Sequence, residues 1–175
     1  MENTRDRILD AFVAQLIQDG IASVTLDRVA ERAGVSKGGL LYHFPAKPAL
    51  AEGLAERLRA FTDANLARAD TDGVVRTFLE TSRPDTNEAR HYWAVISATR
   101  ADPAATTERT RTLLAAVFDD WSTRLRAAVS DPVLADIIRL TGDGLYLATV
   151  TGLPLPSATR IGKVIGRLLA QADAK

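Results

Sequence analysis

The densest chemistry in the chain is a short run of hydrogen-bond donors and glycines. It comprises Ser36, Lys37, Gly38, Gly39, Tyr42, His43 and Lys47, with Thr25 upstream of them. Lysine, tyrosine, serine and histidine side chains reach phosphate oxygens and base edges, and a surface that binds them works best without competing carboxylates. No acidic residue stands between Glu31 and Glu52, whereas Arg32, Lys37 and Lys47 fall inside that window, so the segment reads as a local basic patch. Gly38 and Gly39 each cost a helix interior about 1 kcal/mol against alanine. Close approach of the backbone to DNA would offset that cost. A helix start here would also turn free N–H groups toward a phosphate. The alternative is a pair of loop glycines beside a solvated face.

Other chemistries find less support. The chain has no cysteine, which excludes thiol nucleophiles, disulfides and thiolate-bound zinc. Glu88 and His91 have the Glu-x-x-His spacing of a di-iron bundle, but the only other histidine, His43, has Leu40 three residues before it. A second half-site is therefore missing. Gly142-Asp-Gly144 lacks the third glycine and the preceding strand of a dinucleotide loop, and no phosphate-cradling Gly-rich loop or nucleophile elbow is present. The expectation is no catalytic residue, no metal and no cofactor. His91 reads as a partly buried polar group, in or near a ligand site.

Toward the C-terminus the aromatic residues Phe78, Tyr92, Trp93, Phe118, Trp121 and Tyr146 recur in separate segments. Plain core packing is one use for them. A ligand pocket is the other, since such pockets are apolar with a few convergent polar groups. Phe78, Trp93, Arg100, Phe118, Trp121, Asp143 and Tyr146 are the candidate lining, with Arg139 a further charge close by. Asp143 falls within the apolar stretch from Ile137 to Val150 and therefore calls for a partner, either a protein group or a ligand.

These residues must be positioned by helices. Ile8, Leu9, Phe12, Val13 and Leu16 recur at three-to-four spacing until Gly20 stops the pattern. The same period runs through Leu50–Phe61, Leu114–Leu125, Leu134–Leu145 and Ile161–Leu169, and no alternating strand pattern occurs. The expectation is an all-α protein. Thr25 suits an N-cap, Gly34 a left-handed stop, and Ser36 a second N-cap. Two short helices joined by a Gly-containing turn describe a helix-turn-helix. Pro45 ends a helix near Phe44, and Pro48 fits the first turn of the next. Breaks follow at Asp70–Gly73, Arg83–Asp85, Asp102-Pro103, Ser130–Pro132 and Leu153–Ser157. The division is a three-helix domain over 1–46 and a helical bundle over 47–175. Four glycines, Gly142, Gly144, Gly162 and Gly166, sit inside the last two helical patterns. Close helix–helix packing would offset their cost, between two copies of the chain or within one.

Residues Thr4 to Leu54 resemble the N-terminal domain of the TetR family of bacterial transcriptional regulators. The resemblance is carried by Arg7-Ile8-Leu9, Gly20, Thr25, Val29-Ala30, Ala33-Gly34-Val35-Ser36, Gly38, Leu40, His43-Phe44, Lys47 and Leu50. It implies a homodimer, joined through the last two helices, that binds a palindromic operator and releases it when a small-molecule effector enters the C-terminal bundle. By the same resemblance Thr25, Ser36, Lys37, Tyr42, His43 and Lys47 match positions that contact DNA, with Gly38 and Gly39 between them. The chain departs from the family pattern at Gly39, Leu41 and Pro48. Those departures shift base reading toward Lys37, Tyr42 and the glycine backbone.

The chain's 22 Lys+Arg and 22 Asp+Glu give a formal net charge of zero, which argues against strong non-specific attraction to nucleic acid. A small docking patch remains compatible with neutrality. A charged start, and no apolar run of membrane length, lead to the expectation of a cytoplasmic protein with no membrane span. Two other readings stand beside the repressor: a helical ligand-binding protein or enzyme with a vestigial helix-turn-helix, and an effector-independent regulator.

Overall fold

A computed structural model describes residues 3–19, 24–83, 86–101, 103, 106–151 and 153–173, without the side chains of 87–88, 101 and 149–151. The expected stop at Gly20 and parts of the breaks at Arg83–Asp85 and Asp102-Pro103 lie outside the described residues, as does the Glu88 side chain, whereas the break at Leu153–Ser157 falls between α8 and α9. Among the described residues there are nine helices and no strand, as the periodicity predicts. They are α1 (Thr4–Asp19), α2 (Leu26–Ala33), α3 (Lys37–His43), α4 (Lys47–Asp72), α5 (Val74–Thr81), α6 (Asn87–Ala101), α7 (Glu108–Ala128), α8 (Pro132–Thr151) and α9 (Ala158–Asp173).

The first three helices close around Ile8, Leu9, Phe12, Leu16, Val29, Leu40 and Phe44, all withdrawn from solvent. Local chain chemistry sets their ends. The Thr25 hydroxyl accepts from the Arg28 amide at 3.3 Å to start α2. Gly34 stops it with φ of 65°, and the Val35 amide reaches back to the Ala30 carbonyl at 3.0 Å. The Ser36 hydroxyl then accepts from the Gly39 amide at 3.0 Å to start α3. Phe44 leaves the helix, buries its ring and donates its amide to the Leu40 carbonyl.

Helix α4 joins the two halves. Pro48 occupies its first turn, and it runs to Asp72, three residues past Ala69, where the apolar pattern fades; Gly73, with φ of 92°, then turns the chain into α5. Along its length α4 touches α1 and packs on α5, α6 and α7, while α8 packs on α5, α6 and α7, and α9 on α5. Gly53 permits the closest approach at the joint. A Cβ there would lie 2.7 Å from Phe44 Cε1 and 3.2 Å from Leu9 Cδ2. Among the described residues no helix is long and apolar enough to cross a membrane.

Candidate nucleic-acid interface and ligand cavity

The α2–α3 corner presents its polar groups outward. Tyr42 is 85% exposed, the largest hydrophobic exposure in the chain's described residues, and the half-buried His43 ring meets it edge-on at 5.2 Å. A hydrophobic ring left in water on a seven-residue helix is not a product of packing. Gly38 has only the Ser36 hydroxyl near, 4.0 Å from where a Cβ would be, so nothing within the chain demands glycine there. Gly39 is different: a Cβ would stand 3.3 Å from Ser36 Oγ, against the oxygen that caps its own amide.

The basic patch is smaller than the sequence window implies. Lys37 Nζ lies 3.0 Å from Asp27 Oδ1, a carboxylate brought over from α2. Lys47 Nζ donates to the Val24 carbonyl at 3.2 Å, which ties the start of α4 to the strap before α2. Arg32 donates to Gln18 at 2.8 Å. A window of sequence counts only neighbours along the chain, whereas the fold adds neighbours across it. The Lys37–Asp27 pair is more than half exposed on both sides, and such pairs hold together by no more than about 1 kcal/mol. Lys37 therefore stays free to exchange Asp27 for a phosphate or a base.

A second polar cluster sits where α1, α4 and α6 meet. Arg57 of α4 donates to Asp10 at 2.5 Å, to the Asp6 carboxylate at 2.8 Å and to the Asp6 carbonyl at 3.0 Å. It also lies 3.1 Å from His91 Nε2 of α6, whose ring packs edge-on against Phe61. His91 thus faces this cleft and not the aromatic cavity. Among the described residues no group of three or more His, Cys, Asp or Glu could hold a metal.

The aromatic cavity lies between α4, α5, α6, α7 and α8. Its free volume is about 40 Å³, room for a few water-sized groups. Helix α4 contributes Leu58, Thr62 and Asn65; α5 contributes Phe78 and Thr81; α6 contributes Tyr92. Helix α7 adds Val117, Phe118, Trp121 and Ser122, and α8 adds Arg139, Asp143 and Tyr146. Five of the residues expected from sequence come together here: Phe78, Phe118, Trp121, Asp143 and Tyr146. Trp93 and Arg100 do not line it; Trp93 packs against the core beside Tyr92, and Arg100 is exposed. Both lie on α6, where a single aromatic face turns toward the cavity and Tyr92 occupies it.

Among the lining residues missed are the polar groups Thr62 and Asn65 of α4, whose sequence signal is that of a buried helix face. Thr62 donates to the Leu58 carbonyl and Asn65 is 7% exposed, so each looks like a satisfied core residue until the cavity is seen. The ring walls are ordered by contacts of Tyr92 with Tyr146 at 4.9 Å and with Phe118 at 5.6 Å. The Tyr146 hydroxyl donates to the Thr81 carbonyl. Burial pushes the Asp143 carboxyl above the usual carboxylate range, an effect that Arg139 only partly opposes. The Tyr92 phenol is pushed up by burial and then by the charge of Asp143.

The glycines of the last two helices divide. Gly142 is packed within the chain, since a Cβ there would lie 2.7 Å from Phe78 Cζ and 2.8 Å from Ser82 Oγ. Gly144, Gly162 and Gly166 have no such neighbour within 4 Å. Gly144 stands in an exposed apolar row on α8 with Val133, Ile137, Leu140 and Leu147.

Residues 8–54 match the family described as bacterial regulatory proteins, tetR family, and residues 72–173 match the tetracyclin repressor-like C-terminal domain. The HTH-type transcriptional regulator SrpR of Pseudomonas putida is 41% identical over 46 residues, which is 26% of this chain and 22% of that protein. The nucleoid occlusion factor SlmA of Actinobacillus pleuropneumoniae is 28% identical over 134 residues, 73% of this chain and 59% of that one. In both cases the match spans less than two thirds of the relative's own length. A putative transcriptional regulator from Saccharomonospora viridis, solved in complex with choline, superposes with a TM-score of 0.70 at 22% identity, covering 95% of each chain. At that identity the likeness is one of fold.

Proposed function

The chain belongs to the tetR family of bacterial regulatory proteins, and from that premise we propose a homodimeric transcriptional repressor that holds a palindromic operator in the cytoplasm. The observation that carries DNA binding is the exposed Tyr42 beside two glycines, on a short helix fixed by a hydroxyl cap. Helix α3 lies in the major groove, where Tyr42 and Lys37 read base edges and the glycine backbone comes close to the strand. Thr25, Ser36, His43 and Lys47 border it and set register against phosphates. Division of labour follows the chain: residues 1–46 bind DNA, and residues 47–175 bind effector and partner.

Dimerisation is supported by the exposed row Val133, Ile137, Leu140, Gly144 and Leu147, with Val164 exposed on α9. Its spacing of four and three residues is that of a helix-packing seam. A two-fold pair through α8 and α9 sets two α3 helices about 34–36 Å apart, one helical turn of DNA. Release is supported by continuity between the sites. Tyr92 lines the cavity while its neighbour His91 holds Arg57, and Arg57 grips Asp6 and Asp10 of α1. An effector that displaces Tyr92 disturbs that grip and, through α1 and α4, the spacing of the two α3 helices.

The test is a binding titration on operator fragments selected from genomic DNA. Replacing Lys37 and Tyr42 together by alanine is expected to weaken specific binding by about 100-fold while chromatography still shows a folded dimer. Affinity of the unaltered protein should also fall steeply as salt rises. Unchanged affinity in the double variant would falsify the assignment of α3 as reading helix.

A further inference from the structure

The chemical class of the effector is written in the charges of the cavity, on the reading that this cavity is where the effector binds. Asp143 lies on the inward face of α8, and its side chain is 34% exposed. The nearest cation is Arg139 Nη1, one turn earlier at 3.7 Å, beyond hydrogen-bond reach. Among the described residues no donor hydrogen-bonds the carboxylate. Three aromatic rings share the cavity wall with it: Tyr92 meets Phe118 edge-on at 5.6 Å and Tyr146 at a tilt at 4.9 Å.

Ring faces carry negative potential, attracting cations and opposing anions. Arg139 Nε is buried without a partner and offers an anion one donor, but an anion there would stand beside the Asp143 carboxylate and among the aromatic rings. A cation drawn to Asp143 gains the carboxylate and the rings together. Burial already works against the charged form of Asp143, so an arriving positive charge relieves a cost that Arg139 leaves standing. The free volume of about 40 Å³ admits only a compact head, so an aromatic body enters as the side chains of the cavity yield.

We propose that the cavity binds an organic cation, an ammonium head on an apolar or aromatic body, with the head between Asp143 and the ring faces of Tyr92 and Tyr146. Anionic and neutral molecules of the same shape bind less well.

Isothermal titration of the full chain with benzylammonium chloride, benzyl alcohol and sodium benzoate, at one ionic strength and neutral pH, isolates the charge. Benzylammonium is expected to bind about tenfold more tightly than the alcohol, with benzoate weakest. Asp143→Asn should bring benzylammonium down to the affinity of the alcohol and leave the alcohol unchanged. Tyr92→Leu should lower the cation's affinity more than the alcohol's, giving a second variant if the first perturbs folding. Preference for benzoate that disappears in Arg139→Met overturns the inference, as does equal binding of all three or no binding by benzylammonium. Operator affinity is measured separately. Benzylammonium bound through Asp143 without any change in operator binding keeps the cation inference and removes the effector-release reading.

Discussion

The α2–α3 corner and the aromatic cavity are held by different kinds of interaction. At the corner the bonds that set the helix ends join residues a few positions apart: Thr25 with Arg28, Val35 with Ala30, Ser36 with Gly39, Phe44 with Leu40. At the cavity the contacts join distant parts of the chain. Tyr146 bonds the Thr81 carbonyl, Tyr92 meets Phe118, and Gly142 admits the Phe78 ring. The corner therefore keeps its shape as a preformed surface, with Tyr42 and Lys37 free to move above it. The cavity exists only when five helices assemble, so whatever enters it acts on all five. The two regions differ because the helix ends of one are set along the chain and the walls of the other are assembled across it.

The largest effect that sharpens this contrast is expected at Gly142. Valine there must displace Phe78 and Ser82, which are 3% and 0% exposed. Overpacking of this kind costs about 3 kcal/mol. Urea unfolding monitored by far-UV dichroism checks it, and the variant should also lose benzylammonium binding. A neutral result at Gly142 would mean that Phe78 and Ser82 yield to a Cβ at no cost, and that contacts across the chain do not fix the cavity wall.

Gly53 tests the joint between the two regions. Alanine there presses on Phe44 of the corner and Leu9 of α1, and the expected loss is about 1–2 kcal/mol. Because the strain falls on the contact between α4 and the reading domain, operator affinity should drop while ligand affinity holds. A fall in ligand affinity alone would place the joint elsewhere.

The same contrast explains what could be read from the sequence. The caps at Thr25 and Ser36, the left-handed Gly34 and the helix end at Phe44 are consequences of residues adjacent along the chain, and all appear where the pattern puts them. The Lys37–Asp27 pair was not legible, because it depends on the angle between α2 and α3. In the cavity, aromatic type pointed to Phe78, Phe118, Trp121 and Tyr146, but on α6 it pointed to Trp93 where the structure puts Tyr92. The choice between the two turns on the rotation of α6 against α8. Thr62, Asn65 and Ser122 carry no signal beyond helical burial. The grip of Arg57 on Asp6, Asp10 and His91 likewise requires three helices to be placed first.

A smaller and purely local effect is expected from Ser36→Ala. Removing the hydroxyl leaves the Gly39 amide without its acceptor, a loss of about 1 kcal/mol. Hydrogen exchange at the Gly39 amide should quicken and operator binding weaken severalfold, with benzylammonium affinity unchanged. Altered ligand affinity would show that the corner is coupled to the cavity in the ground state.

The smallest effect concerns Asp143 without ligand, and its sign follows from burial. The folded protein binds the Asp143 proton more tightly than the unfolded chain, whose carboxyl titrates near 3.8. Below that value both states are protonated and the group costs nothing. As pH rises from there through the folded pKa, the unfolded state releases its proton first and stability is lost. The Asp143→Asn variant carries no titratable group at this position and so lacks that dependence. It should thus match the unaltered protein near pH 3.8 and exceed it slightly at neutral pH, in urea midpoints taken across that span. Were the unaltered protein to gain on the variant as pH rises, the Arg139 attraction would outweigh burial. Asp143 would then be a satisfied partner of Arg139 and not a carboxylate held ready for a cation, and the cavity would resemble the corner, with its bonds already made within the chain.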